Sequence, residues 1–164
     1  MLKLTKKADY GLIAVKHLAE SAHSAETVVA CSAKDIAEAY DLPQEALAKI
    51  LQRLAKAGLL ASHHGTNGGY MLARDAAKIS AFEVIRAIDG PLFITSCITH
   101  KGECHQSSKC NVKEPLRKVN DGIRHLLERI SIADMRDPNG PIQAKCEEVD
   151  TKPGTEASSL VTIL

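Results

Sequence analysis

Cys97, Cys104 and Cys110 fall within one short polar stretch, Cys97-Ile-Thr-His100-Lys-Gly-Glu-Cys104-His105-Gln-Ser-Ser-Lys-Cys110. It holds three of the chain's five cysteines together with two histidines, and no apolar periodicity runs through it. Thiolates are soft, polarisable ligands, so thiols this close are placed to gather around a soft metal. The spacing Cys-x6-Cys-x5-Cys lacks the paired Cys-x2-Cys knuckles common in structural zinc sites. Longer, looping separations suit an iron–sulfur cluster, which spans more distance than a single zinc ion. A cluster takes four protein ligands, and the stretch offers three thiols. The fourth must be His100 or His105 locally, or an acid or histidine from another segment or a partner chain.

The cellular setting fits that chemistry. Met1–Tyr10 carries Lys3, Lys6, Lys7 and Asp9, unlike a signal peptide, and no apolar run approaches the roughly 20 residues a membrane helix needs. The expected localisation is cytoplasmic, with no membrane partner. There thiols stay reduced, and cysteines serve metal or redox chemistry rather than a disulfide framework. Cys31 and Cys146, outside the cluster, read as ordinary thiols.

The elements around the cysteine stretch must hold it against something that acts. At 164 residues the chain fits one domain with an appended helix and tail. Apolar residues make up 45%, aromatics only 3%, and Trp is absent, which favours a mainly α fold over a large sheet. Net charge is +1, so any nucleic-acid footprint is a local patch rather than a global excess of base.

Thr5 to about Ser21 reads as a helix, with Tyr10, Ile13, Ala14 and Leu18 at three- and four-residue steps. Lys3, Lys6 and Lys7 stand at its entrance, where the helix dipole disfavours cations, and so suggest an anionic neighbour. Ser32-Ala-Lys-Asp35 has a capping-box pattern opening a short helix, Ala33–Tyr40. Pro43 breaks the chain at Leu42 and starts the next helix, Pro43–Ala57, which turns Leu47, Ile50, Leu51 and Leu54 inward and ends at Gly58. Short helix, tight break and longer helix form a helix-turn-helix. Leu59–His64 and Tyr70–Leu72 flank Gly65-Thr-Asn67-Gly-Gly69 and make a β-hairpin wing, with Asn67-Gly68 supplying a positive-φ turn and the glycines allowing close approach to a phosphate. Ser80-Ala-Phe-Glu83 opens a further helix through about Ile88.

The fold class that results is a winged helix-turn-helix DNA-binding domain over 1–90. The cysteine-rich loop follows at 91–114, a long dimerisation helix at 115–134, and a flexible acidic tail at 135–164. The long helix starts at Pro115 and repeats Leu116, Val119, Ile123, Leu126, Ile130 and Ala133, the alternating steps of a coiled-coil seam. In a helix-turn-helix the first turns of the second helix carry the base contacts. Those positions are Gln44, Glu45, Ala46, Ala48 and Lys49, with Arg53 further along. Glu accepts from a cytosine amino group, and Lys donates to guanine or phosphate. His63, His64, Gly65 and Asn67 belong to the wing. A dimer presents two such helices, so the expected partner is double-stranded DNA carrying an inverted repeat.

Leu4-Thr5-Lys6 with Asp9-Tyr10, the wing Gly65-Thr-Asn-Gly-Gly-Tyr70, the Asp89-Gly90 junction and the three-cysteine loop together resemble the Rrf-two family of winged-helix transcriptional regulators (IscR/NsrR/RirA-like). The resemblance runs from about Met1 to Met135. The segment from Cys110-Asn-Val to Ile-Ala-Asp134-Met is similar to its Suf-system iron–sulfur assembly regulators. It implies a homodimeric transcription factor whose cluster state sets its DNA affinity, with Cys97, Cys104 and Cys110 as ligands and Glu45, Lys49 and His64 where members read DNA. A [2Fe–2S] cluster is implied first and [4Fe–4S] second. The first inter-cysteine gap is one residue longer than the commonest spacing, and Lys113 stands where some members carry a histidine ligand. Asp9 matches the acid that completes the site in other members, and is expected to reach across the dimer.

The function that follows is repression of iron–sulfur assembly or iron-related genes, with nitric-oxide or redox sensing as the alternative. A zinc-stiffened protein-interaction module and a thiol enzyme are less well matched. No Cys sits beside a base in a catalytic turn and no nucleotide loop is present, so neither enzyme activity nor a small-molecule substrate is expected.

Overall fold

The computed structural model describes residues 4–24, 30–65, 68–95, 106 and 108–137. Cys97, Cys104, His100, His105, Asn67, Lys3, Cys146 and the tail from 138 onward lie outside the described residues.

Helix α1 spans Lys6–Ser24. Thr5 caps it, its Oγ1 accepting from the Ala8 N–H at 3.2 Å. Ala8, Ala14, Val15, Leu18 and Ala19 are its buried positions, whereas Tyr10 and Ile13 are half-buried at the margin. Helix α2 is Ala33–Ala39, opened by the expected capping box between Ser32 and Asp35. Asp41, with φ +52°, makes the tight turn into α3, Gln44–Lys56. Leu47, Ile50, Leu51 and Leu54 form α3's buried face, as their spacing predicts, and Gly58 follows its end in the left-handed conformation.

The wing is an antiparallel pair, β1 (Leu60–His63) and β2 (Gly69–Leu72), in the register Leu60↔Leu72 to His63↔Gly69. Cys31 adds a one-residue third strand. Its N–H donates to the Tyr70 carbonyl at 3.0 Å and its carbonyl accepts from the Tyr70 N–H at 2.8 Å. That pairing accounts for Gly69, where a Cβ would stand 2.5 Å from the Cys31 carbonyl oxygen. Gly68 is crowded likewise, its Cβ position lying 2.6 Å from the His63 carbonyl oxygen, whereas nothing lies within 4 Å of one at Gly65. Gly65 takes a positive φ (+126°), whereas Asn67 of the expected Asn67-Gly68 turn lies outside the described residues.

A 3-10 turn, Ala76–Lys78, leads to α4, Ala81–Asp89, capped by the reciprocal Ser80–Glu83 box and ended by Gly90 at φ +83°. Helix α5 runs from Lys113 to Arg129, so Pro115 sits inside its first turn rather than at its first residue. It also stops four residues before the expected Ala133. The cause is local: the Ser131 hydroxyl and N–H both donate to the Asp134 carboxylate, at 2.7 and 2.9 Å, turning the chain into a 3-10 turn over Asp134–Arg136. Ser131-Ile-Ala-Asp134 has the same signature as Ser32-Ala-Lys-Asp35, and the heptad pattern runs straight across it.

The residues after α5 return to the first domain. The Ala81 N–H donates to the Ile130 carbonyl and the Ile132 N–H to the Ile79 carbonyl, both at 2.8 Å, and Ile132 is fully buried in the core. Ile130 and Ala133 thus leave the expected seam, and Ala133 packs on the domain core. Helices α4 and α5 are pinned together where α4 begins and α5 ends. Since α4 runs away from that clasp and α5 runs back to it, the cysteine stretch joins their far ends.

Candidate nucleic-acid interface and cysteine loop

The reading helix α3 is held from behind. Its buried stripe packs against α1, α2 and α4, and this fixes the orientation of the opposite face. On that face Gln44, Glu45 and Lys49 are exposed and make no side-chain hydrogen bond or ion pair among the described residues, while Ala46 and Ala48 are half-buried. Unpaired donors and acceptors on a rigid helix are available for base edges without first breaking an internal bond.

Arg53 is placed differently. Its Nη1 donates to the Ile88 carbonyl at 3.2 Å, so the guanidinium binds the last turn of α4 instead of standing free beside Lys49. The sequence reading did not anticipate this partner, and the reason lies in position. Arg53 is near the C-terminal end of α3, where the α4 terminus leaves carbonyls without helical partners.

At the wing, His63, His64 and Gly65 are exposed, and Ser32, Ala33, His63, His64, Gly65 and Gly68 help line an open cleft of about 290 Å³. Asp35 beside it lies below its ordinary carboxylate value, because the Ser32 hydroxyl and N–H hydrogen-bond to it.

The positive entrance of α1 has an anionic neighbour inside the protein. Thr5 Oγ1 lies 2.7 and 2.9 Å from the two oxygens of the Asp89 carboxylate. Lys6 and Lys7 are exposed and form no ion pair with Asp89. The contact of Thr5 with Asp89 joins two separate stretches of sequence, the start of α1 and the Asp89-Gly90 junction.

Of the expected cluster ligands, Cys110 and Asp9 are described. Cys110 is a free, half-buried thiol two residues before Val112, the cap of α5. Asp9 is exposed in the first turn of α1. Among the described residues, no group of three or more His, Cys, Asp or Glu side chains gathers as a metal site. A free thiol at the head of α5, in a stretch that supplies two more, is chemically suited to an iron–sulfur group.

Two side chains hold the segment that leads from α4 toward the cysteines, and the motif reading gave neither of them this role. Asn120 is the one buried polar residue described, and its Oδ1 accepts from the Ile94 N–H at 3.0 Å. Its place between Leu116 and Ile123 on one helix face was the available signal, since a polar residue there needs a partner. Thr5 is the other, which the sequence marks only as the start of α1 and as part of the Leu4-Thr5-Lys6 stretch.

On its outer side α5 is bare. Val112, Val119 and Leu126, seven residues apart, are 53%, 52% and 49% exposed. No helix among the described residues is long and apolar enough to cross a membrane.

Comparison with known proteins agrees with this architecture. The profile of the Rrf2 family, described as "Iron-dependent Transcriptional regulator", matches residues 4–138. The chain is 32% identical over 134 residues to the HTH-type transcriptional regulator IscR of Cronobacter sakazakii, covering 82% of this chain and 80% of that protein. Among solved structures, T. potens IscR superposes with a TM-score of 0.61 at 30% identity, covering 82% of this chain and 85% of the other. CymR, the global cysteine regulator of B. subtilis, superposes with a TM-score of 0.65 at 26% identity over 83% and 97% of the two chains. These relatives are regulators of transcription and not enzymes. With a helix-turn-helix, a wing and a family match over nearly all the described residues, the chain belongs to the Rrf2 family of DNA-binding transcriptional regulators.

Proposed function

We propose that this regulator is a cytoplasmic homodimer that senses through an iron–sulfur cluster and represses iron–sulfur assembly or iron-related genes. The observation that carries the reading is the place of the cysteine stretch. It connects the end of α4 to the start of α5 in the chain, and the opposite ends of these helices are fastened by backbone pairing at Ser80 and Ser131. A change at that loop bears directly on the angle between the two helices.

Cys97, Cys104 and Cys110 would hold the cluster, with Asp9 of the partner subunit completing the set. When bound there, the cluster would supply redox- and iron-sensitive chemistry linking the loop to the first helix of the partner subunit. The bare row Val112, Val119 and Leu126 supports a seam with a second copy, because exposed aliphatic side chains at heptad spacing gain most by pairing with their own kind. Gln44, Glu45 and Lys49, with His64 and the wing, would read an inverted repeat, one half-site per protomer.

The test is a Cys104→Ala protein prepared anaerobically beside the unaltered chain. Loss of visible absorbance, iron and sulfide, together with a changed affinity for promoter DNA, is the expected result. Identical spectra and identical binding would overturn the proposal. Exposing the loaded protein to nitric oxide, oxygen or an iron chelator identifies which signal releases DNA.

A further inference from the structure

The last turn of α4 and the chain leaving it are tied to three other elements. From α3, Arg53 Nη1 donates to the Ile88 carbonyl at 3.2 Å. From the start of α1, Thr5 Oγ1 hydrogen-bonds to the Asp89 carboxylate at 2.7 Å. From α5, Asn120 Oδ1 receives the Ile94 N–H at 3.0 Å. Helix α1 also presses on this turn, since a Cβ at Gly11 would collide with Ile88 Cδ1. Cys97 follows Ile94 by three residues. The segment that enters the cysteine loop is therefore the one that touches the reading helix.

We propose that Arg53 is a positioning residue that couples the state of the cysteine loop to the reading helix through its bond to the Ile88 carbonyl, rather than a DNA contact. The inference rests on the sensing function proposed above. A guanidinium on a helix-terminal carbonyl is a charge-assisted, directional bond at the negative end of the α4 dipole. Helix α3 is rigid, its inner face filled by Leu47, Leu51 and Leu54 with no exposure. A pull at Arg53 is therefore carried to Glu45, about 12 Å along the axis at 1.5 Å per residue. A slight tilt at one end shifts the base-reading side chains at the other. The bond stores a preference between two arrangements only if it is stronger in one of them, which is what the experiment measures.

The full chain is prepared anaerobically with and without its iron and sulfide. Affinity is then measured, at several salt concentrations, for a duplex selected by the unaltered protein from a random pool. Coupled sites commonly differ in affinity by about 5- to 150-fold. Arg53→Gln is expected to bring the loaded-to-unloaded ratio at least about fivefold closer to one while leaving the salt slope unchanged, as befits lost coupling without a lost phosphate contact. Thr5→Val cuts the second tie on the same turn from outside the reading helix and is expected to act in the same direction. If Arg53→Gln lowers both affinities equally and reduces the salt slope by about one, Arg53 is a phosphate contact and the proposal fails. Should Arg53→Gln not fold, Thr5→Val decides alone: a compressed ratio supports the coupling and an unchanged one overturns it. An unaltered protein that carries iron and sulfide but shows a ratio of one, or carries neither, removes the sensing function itself and the coupling with it.

Discussion

The reading domain and α5 are built from the same aliphatic residues and put them to opposite use. In the domain, Ile36, Leu47, Leu51, Leu54 and Ile79 are wholly buried in one core, which Ile132 from beyond α5 completes. Along α5, only Asn120 is buried, and Val119 and Leu126 are about half exposed (52% and 49%). Heptad spacing thus marks an apolar face without saying which body will cover it. The contrast also separates two kinds of stability. The domain is held by its own packing, whereas α5 is held at its C-terminal end by the Ile130–Ile132 clasp and lightly elsewhere.

The contrast can be broken most forcefully in the core. Leu51→Ala and Ile132→Ala are each expected to cost about 2–5 kcal/mol in denaturant unfolding, as buried aliphatic truncations do. An Ile132→Ala protein with an unshifted midpoint would detach the clasp from the domain. Glycines sharpen the comparison next. Gly69→Ala forces a Cβ to 2.5 Å from the Cys31 carbonyl and is expected to cost about 1–3 kcal/mol. At Gly122 on α5 nothing lies within 4 Å, and Gly122→Ala is expected to be stabilising by up to about 1 kcal/mol through helix propensity.

Ser80→Ala removes the α4 cap beside the clasp, at a cost of about 1 kcal/mol by thermal melting. Its partner Glu83 gives this cap a pH signature. Burial pulls the Glu83 carboxyl up, but the Ser80 N–H and Arg74 outweigh it, and its value lies below the ordinary 4.5. A depressed carboxylate contributes stability that is present above the unfolded value and is lost as pH falls through the folded one. Stability should therefore decline below about pH 4.5, and Glu83→Gln should flatten that decline. The smallest effect on folding belongs to α5. Leu126→Lys is expected to change monomer stability by less than about 0.5 kcal/mol, as surface substitutions do, while abolishing association in sedimentation. A large loss of monomer stability would mean that this face packs on its own domain.

Much of this architecture was legible in the residues. The capping boxes at Ser32 and Ser80, the break at Pro43 and the four inward residues of α3 mark local signals that fold as they read. The end of α5 was misplaced because periodicity is blind to a competing cap, although Ser131 and Asp134 spelled one out. The bond from Arg53 to α4 was illegible for a different reason. A residue three to four positions beyond Lys49 shares its helix face, but the α4 carbonyl it meets is contributed by a segment 35 residues away. Contacts of that range, like Thr5 with Asp89 or Asn120 with Ile94, leave no periodic trace. Of the proposed ligands, spacing identified Cys97, Cys104 and Cys110, whereas Asp9 came from family resemblance alone.

The most direct measurement of the central claim is amide hydrogen exchange on cluster-loaded and cluster-free protein under the same anaerobic conditions. The expected difference is confined to the end of α4 and to α5, from Ile88 to Arg129, while Leu47–Leu54 and the clasp at Ile130–Ile132 keep the same protection in both. Equal exchange throughout the two preparations, or a loss of protection spread evenly into the α3 core, would contradict a rigid reader switched by a lightly held helix.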